Sequence, residues 1–208
     1  MTSELLPRSN DVDRFDFGFD EHWFQIPLSA PGGGWAKTLV RSFSLKRSIS
    51  KSLISQLEKL QANLGATFEP RVTCVVWIPQ PESGRAACSL SFQLSDLAES
   101  DSPDTVLADF KADKNHGDTT TDFLEVDPWR GEFDVGQFVA ARRLILHRNA
   151  QDPEGTVEEQ TVFVVFPSGA RQMVQLVFTA ASAGSFNDMS AETQAVASTL
   201  RVDLVPAH

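Results

Sequence analysis

The sequence predicts an α+β fold: a single domain in which a mostly antiparallel, twisted sheet carries helices packed on it. Three observations predict it. Several segments, among them 72–78, 88–94 and 171–180, alternate along the chain with the period of two that half-buried strands require. Other segments place apolar residues at steps of three and four, which lines up one helix face. The 208 residues contain no internal repeat and no long linker, so they make one body. A composition of 41% hydrophobic and 22% charged residues excludes a collagen, a coiled coil and wholesale disorder.

Taken in order, residues 1–12 are polar and are expected to form a flexible N-terminus ahead of a domain spanning 13–205. Phe15, Phe17 and Phe19 alternate with Asp16, Gly18 and Asp20, as in a short strand. A second extended segment covers 23–28 and is broken by Pro31-Gly32-Gly33-Gly34. Residues 37–46 fit either a strand or a helix entry. Ile49, Leu53, Leu57, Leu60 and Leu64 form a stripe that predicts a helix over 48–64, with Ser48 or Ser50 as cap and Gly65 as stop.

The segments 72–78 and 88–94 predict a hairpin around Pro79 to Gly84. Ser102-Pro103-Asp104 opens a short helix, because a hydroxyl cap, a proline at the first position and an acid in the first turn all suit a helix N-terminus. Residues 113–121 are expected as loop and Asp127-Pro128-Trp129-Arg130-Gly131 as a turn. A long strand follows over 133–147, with Phe138, Ala140, Leu144 and Leu146 on one face. A second hairpin pairs 159–166 with 171–180. A last helix over 190–200, capped by Asp188 or Ser190, leads into an extended tail at 201–205.

The chain carries 28 acids against 18 Lys and Arg, a net charge of −10. On average such a surface repels nucleic-acid backbones and anionic lipid, so neither is an expected partner. No apolar run reaches the ~20 residues that cross a bilayer as a helix. The charge is segregated. Residues 96–127 hold ten acids and two bases, whereas 37–59 hold six bases and only Glu58. The two segments are either solvated faces that attract one another or a docking surface for a partner of opposite sign.

Cys74 and Cys88 sit in alternating apolar stretches and are expected as buried free thiols, with a bridge across the hairpin left open. The start of the chain has neither an apolar signal core nor a nearby Cys to carry a lipid, so a cytoplasmic location is expected.

Catalytic and metal-binding signatures do not form. His22, His116, His147 and His208 lack ligand spacing to one another, and no metal or other cofactor is expected. Asp11, Asp13 and Asp16 imitate the start of a calcium loop, but Asp16 stands where glycine is required. A phosphate loop ending in Lys37-Thr38 would need glycines where Pro31 and Ala36 stand. What remains are residues suited to a partner surface. Trp35 and Trp129 are large aromatics in expected loops, where each either plugs the core or anchors a partner. Arg142 and Arg143 are adjacent in a strand, so one of them must point to the less buried face, and pairing with the acidic segment is the plain explanation. Asp101 and Asp104 belong to the acidic segment.

The opening Phe24-Gln25-Ile26-Pro27-Leu28 with Trp35 resembles that of the PsbP-like family, as does the close: Met173 to Thr179, an acid-capped helix, and Thr199-Leu200-Arg201-Val202. That family includes the photosystem extrinsic protein, a Ran-binding import factor and bacterial lipoproteins. The resemblance implies a PsbP-like fold and a noncatalytic accessory or binding role. No binding residue carries over, and the lipoprotein Cys has no counterpart.

The expectation is a noncatalytic protein-binding module that uses Trp35, Trp129, Arg142, Arg143, Asp101 and Asp104. The alternative is a hydrolase or small-ligand-binding enzyme with a carboxylate-based site, which would be marked by titratable groups converging in an apolar cleft. Self-association through an exposed strand edge, giving a homo-oligomer, is a further option.

Overall fold

The computed structural model describes residues 9–28, 34–68, 72–113, 121–149, 152–182 and 185–207. The expected loose residues 1–8, the glycine run at 31–33, and the loop 114–120 with His116 lie outside these. The elements are strands β1 (Asn10–Asp16) and β2 (Trp23–Ile26), helices α1 (Trp35–Ser42) and α2 (Arg47–Thr67), and strands β3 (Thr73–Trp77) and β4 (Cys88–Asp96). Helix α3 (Pro103–Asp113) and strands β5 (Thr121–Phe133), β6 (Gly136–Asn149), β7 (Asp152–Pro167) and β8 (Gln172–Ala180) follow, then α4 (Met189–Ala197) and β9 (Arg201–Pro206). Seven strands form one antiparallel sheet in the order β2-β3-β4-β8-β7-β6-β5, and β1 pairs with β9 in a separate two-stranded sheet. The fold is α+β, as the alternating and helical periods together predict.

Register decides which side each residue takes, because directly opposed residues share a face. On one face, Val75, Leu90, Phe178, Phe163 and Ala140 belong to an aromatic core that α4 and Phe17 close. On the other, α1 and α2 cover Ile26, Cys74 and Val76, while Phe110 of α3 covers Val126, Val139, Val162 and Val164. Leu53 and Leu57 are fully buried, and burial of each is worth ~1.5–3 kcal/mol to the helix. No helix among the described residues is long and apolar enough to cross a membrane.

Several local expectations are corrected. Strand β1 begins at Asn10, ahead of the expected boundary at 13, and ends at Asp16. Phe15, Phe17 and Phe19 still share one side, where Phe17 packs 5.1 Å from Phe92 and 5.2 Å from Phe19 between ring centres. The tail at 201–205 is strand β9, in register with β1. The ambiguous 37–46 is mostly helix α1. In α2, Lys46 occupies the cap position and neither Ser48 nor Ser50 serves. Ser50 Oγ instead donates back to the Lys46 carbonyl at 3.2 Å. Gly65 does not stop the helix, since the packed Leu60 and Leu64 carry it to Thr67. Asp188 does cap α4, accepting from the Ala191 N–H at 3.0 Å.

The largest difference concerns 127–131. These residues are strand, within β5, and the chain turns at Asp134-Val135. Pro128 donates no hydrogen bond, but β5 is the last strand of the sheet, where one side needs no donors. Strands β6 and β7 also run further than expected, to Asn149 and from Asp152.

Thr161 carries the clearest local cost. It is fully buried on the aromatic face, and its hydroxyl has no hydrogen-bond partner among the described residues. Thr161→Val keeps the shape and removes the desolvated hydroxyl, so it is expected to stabilise by ~1 kcal/mol. For a chain of this length that raises the thermal midpoint by about 2–4 °C. A lowered midpoint in a thermal melt would show that the hydroxyl is satisfied.

Candidate partner-binding surface

Adjacent residues of a strand point to opposite faces, and Arg142 and Arg143 of β6 do so. Arg143 turns under α3. Its guanidinium pairs with Asp113 and lies 4.8 Å from the Phe110 ring centre and 5.5 Å from that of Phe123. Burial pushes its pKa down, and Asp113 opposes the shift. A cation held between two rings and a carboxylate clamps α3 to the sheet.

Arg142 takes the aromatic face. Its Nε donates to Glu159 Oε1 at 2.7 Å, and its Nη1 lies 3.5 Å from Glu125 Oε1. Asp127 stands directly opposite on β5. The Glu159 hydrogen bond, aided by the charges of Glu159, Glu125 and Asp127, raises the pKa of Arg142 against its partial burial. One cation therefore serves three carboxylates, and the cluster keeps a surplus of negative charge.

Trp129 lies two residues beyond Asp127, on the same face. Its Nε1 donates to Gln194 Oε1 at 3.0 Å, and its ring meets Phe163 edge to face at 5.8 Å. It is half-buried, and its exposed part borders an open groove of about 500 Å³ against Ala191 of α4 and the helix caps Asp188 and Ser198. The same ring thus plugs the core edge and presents an aromatic wall to solvent.

The other sequence-selected residues lie elsewhere. Asp104 is exposed and pairs with Arg130 at 2.9 Å, and Asp101 Oδ2 accepts from the Ala98 N–H at 2.9 Å. Both stand at the start of α3, on the face opposite Arg142. Trp35 begins α1 and lines a separate cavity of about 430 Å³ with Gln25, Leu28 and Thr73 at the β2 end of the sheet. Of the six residues, Trp129 and Arg142 share one surface, Asp101, Asp104 and Arg143 lie on the α3 side of the sheet, and Trp35 stands apart at the β2 end. The acidic segment pairs with arginines that lie outside the basic segment 37–59, through Arg143–Asp113, Arg130–Asp104, Arg148–Asp122 and Arg142–Glu125.

Sequence reasoning missed the apolar part of this surface. Leu146 and Val157 are opposed in register, Leu144 faces Glu159, and Leu124 sits at a β-bulge between Phe123 and Glu125. Val157 is 43% exposed and Leu124 51%, while Leu144 and Leu146 are half-buried. The cause is a mismatch of lengths. The nine residues of α4 span ~13 Å at 1.5 Å each. The fourteen residues of β6 span ~46 Å at about 3.3 Å each. The helix therefore covers only one end of this face. Strict alternation flagged Leu144 and Leu146, but nothing local marked them as uncovered.

Cys74 and Cys88 are buried and free. Burial pushes the Cys74 thiol up to about 11 and that of Cys88 higher still, so neither is a thiolate at neutral pH. Among the described residues, no group of three His, Cys, Asp or Glu side chains is placed to hold a metal ion.

No family model matches the chain, and no curated protein matches it. Among solved structures it is similar to the solution structure of cyanobacterial PsbP (CyanoP) from Synechocystis sp. PCC 6803. The TM-score is 0.49 at 11% identity, over 94% of each chain. It is also similar to the crystal structure of LpqN, involved in cell envelope biogenesis, from Mycobacterium tuberculosis. There the TM-score is 0.43 at 12% identity, over 92% of this chain and 83% of that one.

Proposed function

We propose that this chain is a noncatalytic protein-binding module, and that its partner surface is the open sheet face of β5, β6 and β7. The observation that carries this reading is the uncovered apolar patch of Leu144, Leu146 and Val157, with exposed Leu124 at the neighbouring bulge of β5. It borders three carboxylates that share the single cation Arg142. Apolar groups at the centre supply affinity, and a surplus of negative charge beside them selects the partner. The occupant is accordingly a basic, apolar-anchored segment of another protein. Trp129, beside the acids, supplies the kind of rigid aromatic that anchors such contacts.

Glu125 and Asp127 are exposed, so reversing them to Lys leaves the core intact. Native-extract pull-downs with the wild-type chain, Glu125→Lys/Asp127→Lys and Asp101→Lys/Asp104→Lys form the test. A partner retained by wild type and by the α3 pair, and weakened tenfold or more by the β5 pair, is the expected result; that factor corresponds to ~1.4 kcal/mol. Identical capture by all three chains, or loss only with the α3 pair, would remove the surface from consideration.

A further inference from the structure

A second feature lies on the aromatic face between β2, β3 and α4. A cavity of about 240 Å³ is walled by Trp23, Trp77, Phe178 and Phe186, with Asp20 and Glu192 also lining it. The Trp23 and Trp77 rings stack at 6.1 Å and 21°, and Phe186 stacks on Trp77 at 5.6 Å and 15°. Phe178 meets Trp23 near edge-on at 6.4 Å.

Three properties restrict what this cavity takes. Its two charged lining groups are both acids, so an anion is repelled. Indole faces carry negative electrostatic potential and attract a cation, most strongly when it is desolvated. The carboxylates are already held in place. Asp20 Oδ1 accepts from the His22 N–H at 2.8 Å, and Glu192 Oε1 accepts from the Asn187 and Asp188 N–H groups at 3.0 and 3.3 Å. At ~30 Å³ per water the volume equals roughly eight water molecules, so the ligand is small.

We propose that this cavity binds a small organic cation, a quaternary or alkylated ammonium, with the ammonium against the aromatic walls near Asp20 and Glu192. The site is independent of the acidic sheet face and stands or falls separately from it.

Choline is the probe, and its neutral isostere 3,3-dimethylbutan-1-ol is the control, each titrated into the full chain. The readout is the indole N–H resonance of Trp77, assigned as the signal missing from Trp77→Phe. The expected result is a saturable shift at millimolar or lower choline, with the alcohol at least tenfold weaker. Asp20→Asn and Glu192→Gln should each weaken choline several-fold and leave the alcohol unchanged; Gln at 192 retains the helix-capping geometry. In a thermal melt, choline should stabilise the wild type more than Trp77→Phe, and Trp35→Phe as much as the wild type. Equal response to choline and the alcohol would reduce the cavity to an apolar niche. No shift of the Trp77 resonance by about 10 mM choline would leave it without a ligand of this class. Either result overturns the proposal.

Discussion

Phe163→Ala is expected to lower the unfolding free energy by about 3–5 kcal/mol, the usual range for emptying a large aromatic from a packed interior. Phe163 is fully buried on β7, and four rings surround it. Trp129 lies at 5.8 Å, Phe133 at 6.2 Å, Phe138 at 5.8 Å and Phe178 at 5.9 Å. These rings come from β5, the β5–β6 hairpin and β8, so no single movement closes the hole. Domains of ordinary stability hold only ~5–15 kcal/mol in total. The loss thus takes a large share of the whole and moves the thermal midpoint down by roughly 6–20 °C. Urea unfolding followed by tryptophan fluorescence measures it. A loss under ~1.5 kcal/mol would mean that the ring cluster can collapse onto the space.

Gly136→Ala is expected to be comparably severe, for a reason that is steric and conformational at once. Gly136 has φ +146°, and a Cβ there would lie 2.2 Å from the Phe166 carbonyl oxygen and 3.0 Å from the Ser168 nitrogen. Both are backbone atoms at the end of β7, the strand to which Gly136 is paired through Pro167. The Ser168 N–H also closes this corner by donating to the Val135 carbonyl at 2.9 Å. Backbone strain of ~1–3 kcal/mol therefore adds to a forced shift of similar size, about 2–6 kcal/mol together. Gly34→Ala is the comparison. Gly34 has φ +75° but nothing within 4 Å of a new Cβ, so only the conformational cost of ~1–2 kcal/mol applies. Equal midpoint losses in the two variants would mean that the corner relaxes freely. Hydrogen exchange at the β6–β7 hairpin should rise only in Gly136→Ala.

The strands of the sheet centre were legible because they alternate. The face shared by Phe138 and Ala140, and the opposition of Arg142 to Arg143, follow from the pleat alone. The turn expected at 127–131 was misplaced for a physical reason. Pro and Gly mark turns when their neighbours are unknown, but an edge strand tolerates a proline, and only the strand order reveals that β5 is an edge. Gly65 failed as a helix stop in the same way, since packing against the sheet outweighs a propensity cost of ~1 kcal/mol. The candidate surface was half visible. Trp129 and Arg142 were selected as residue types, while Glu159 and Val157 come from the next strand, Glu159 seventeen residues from Arg142, and no local pattern ties them to Arg142.

By itself the sequence determined which residues share a side in the strands it marked by alternation, because successive side chains alternate whatever lies above them. It likewise determined the acidic balance and the burial of both thiols. Tertiary structure alone decided which stretch of a face is covered. A helix of nine residues cannot roof a strand of fourteen, so Leu144, Leu146 and Val157 carry a core pattern in a place that no core reaches. Covering depends on where distant elements end, and that information is shared among segments far apart in the chain.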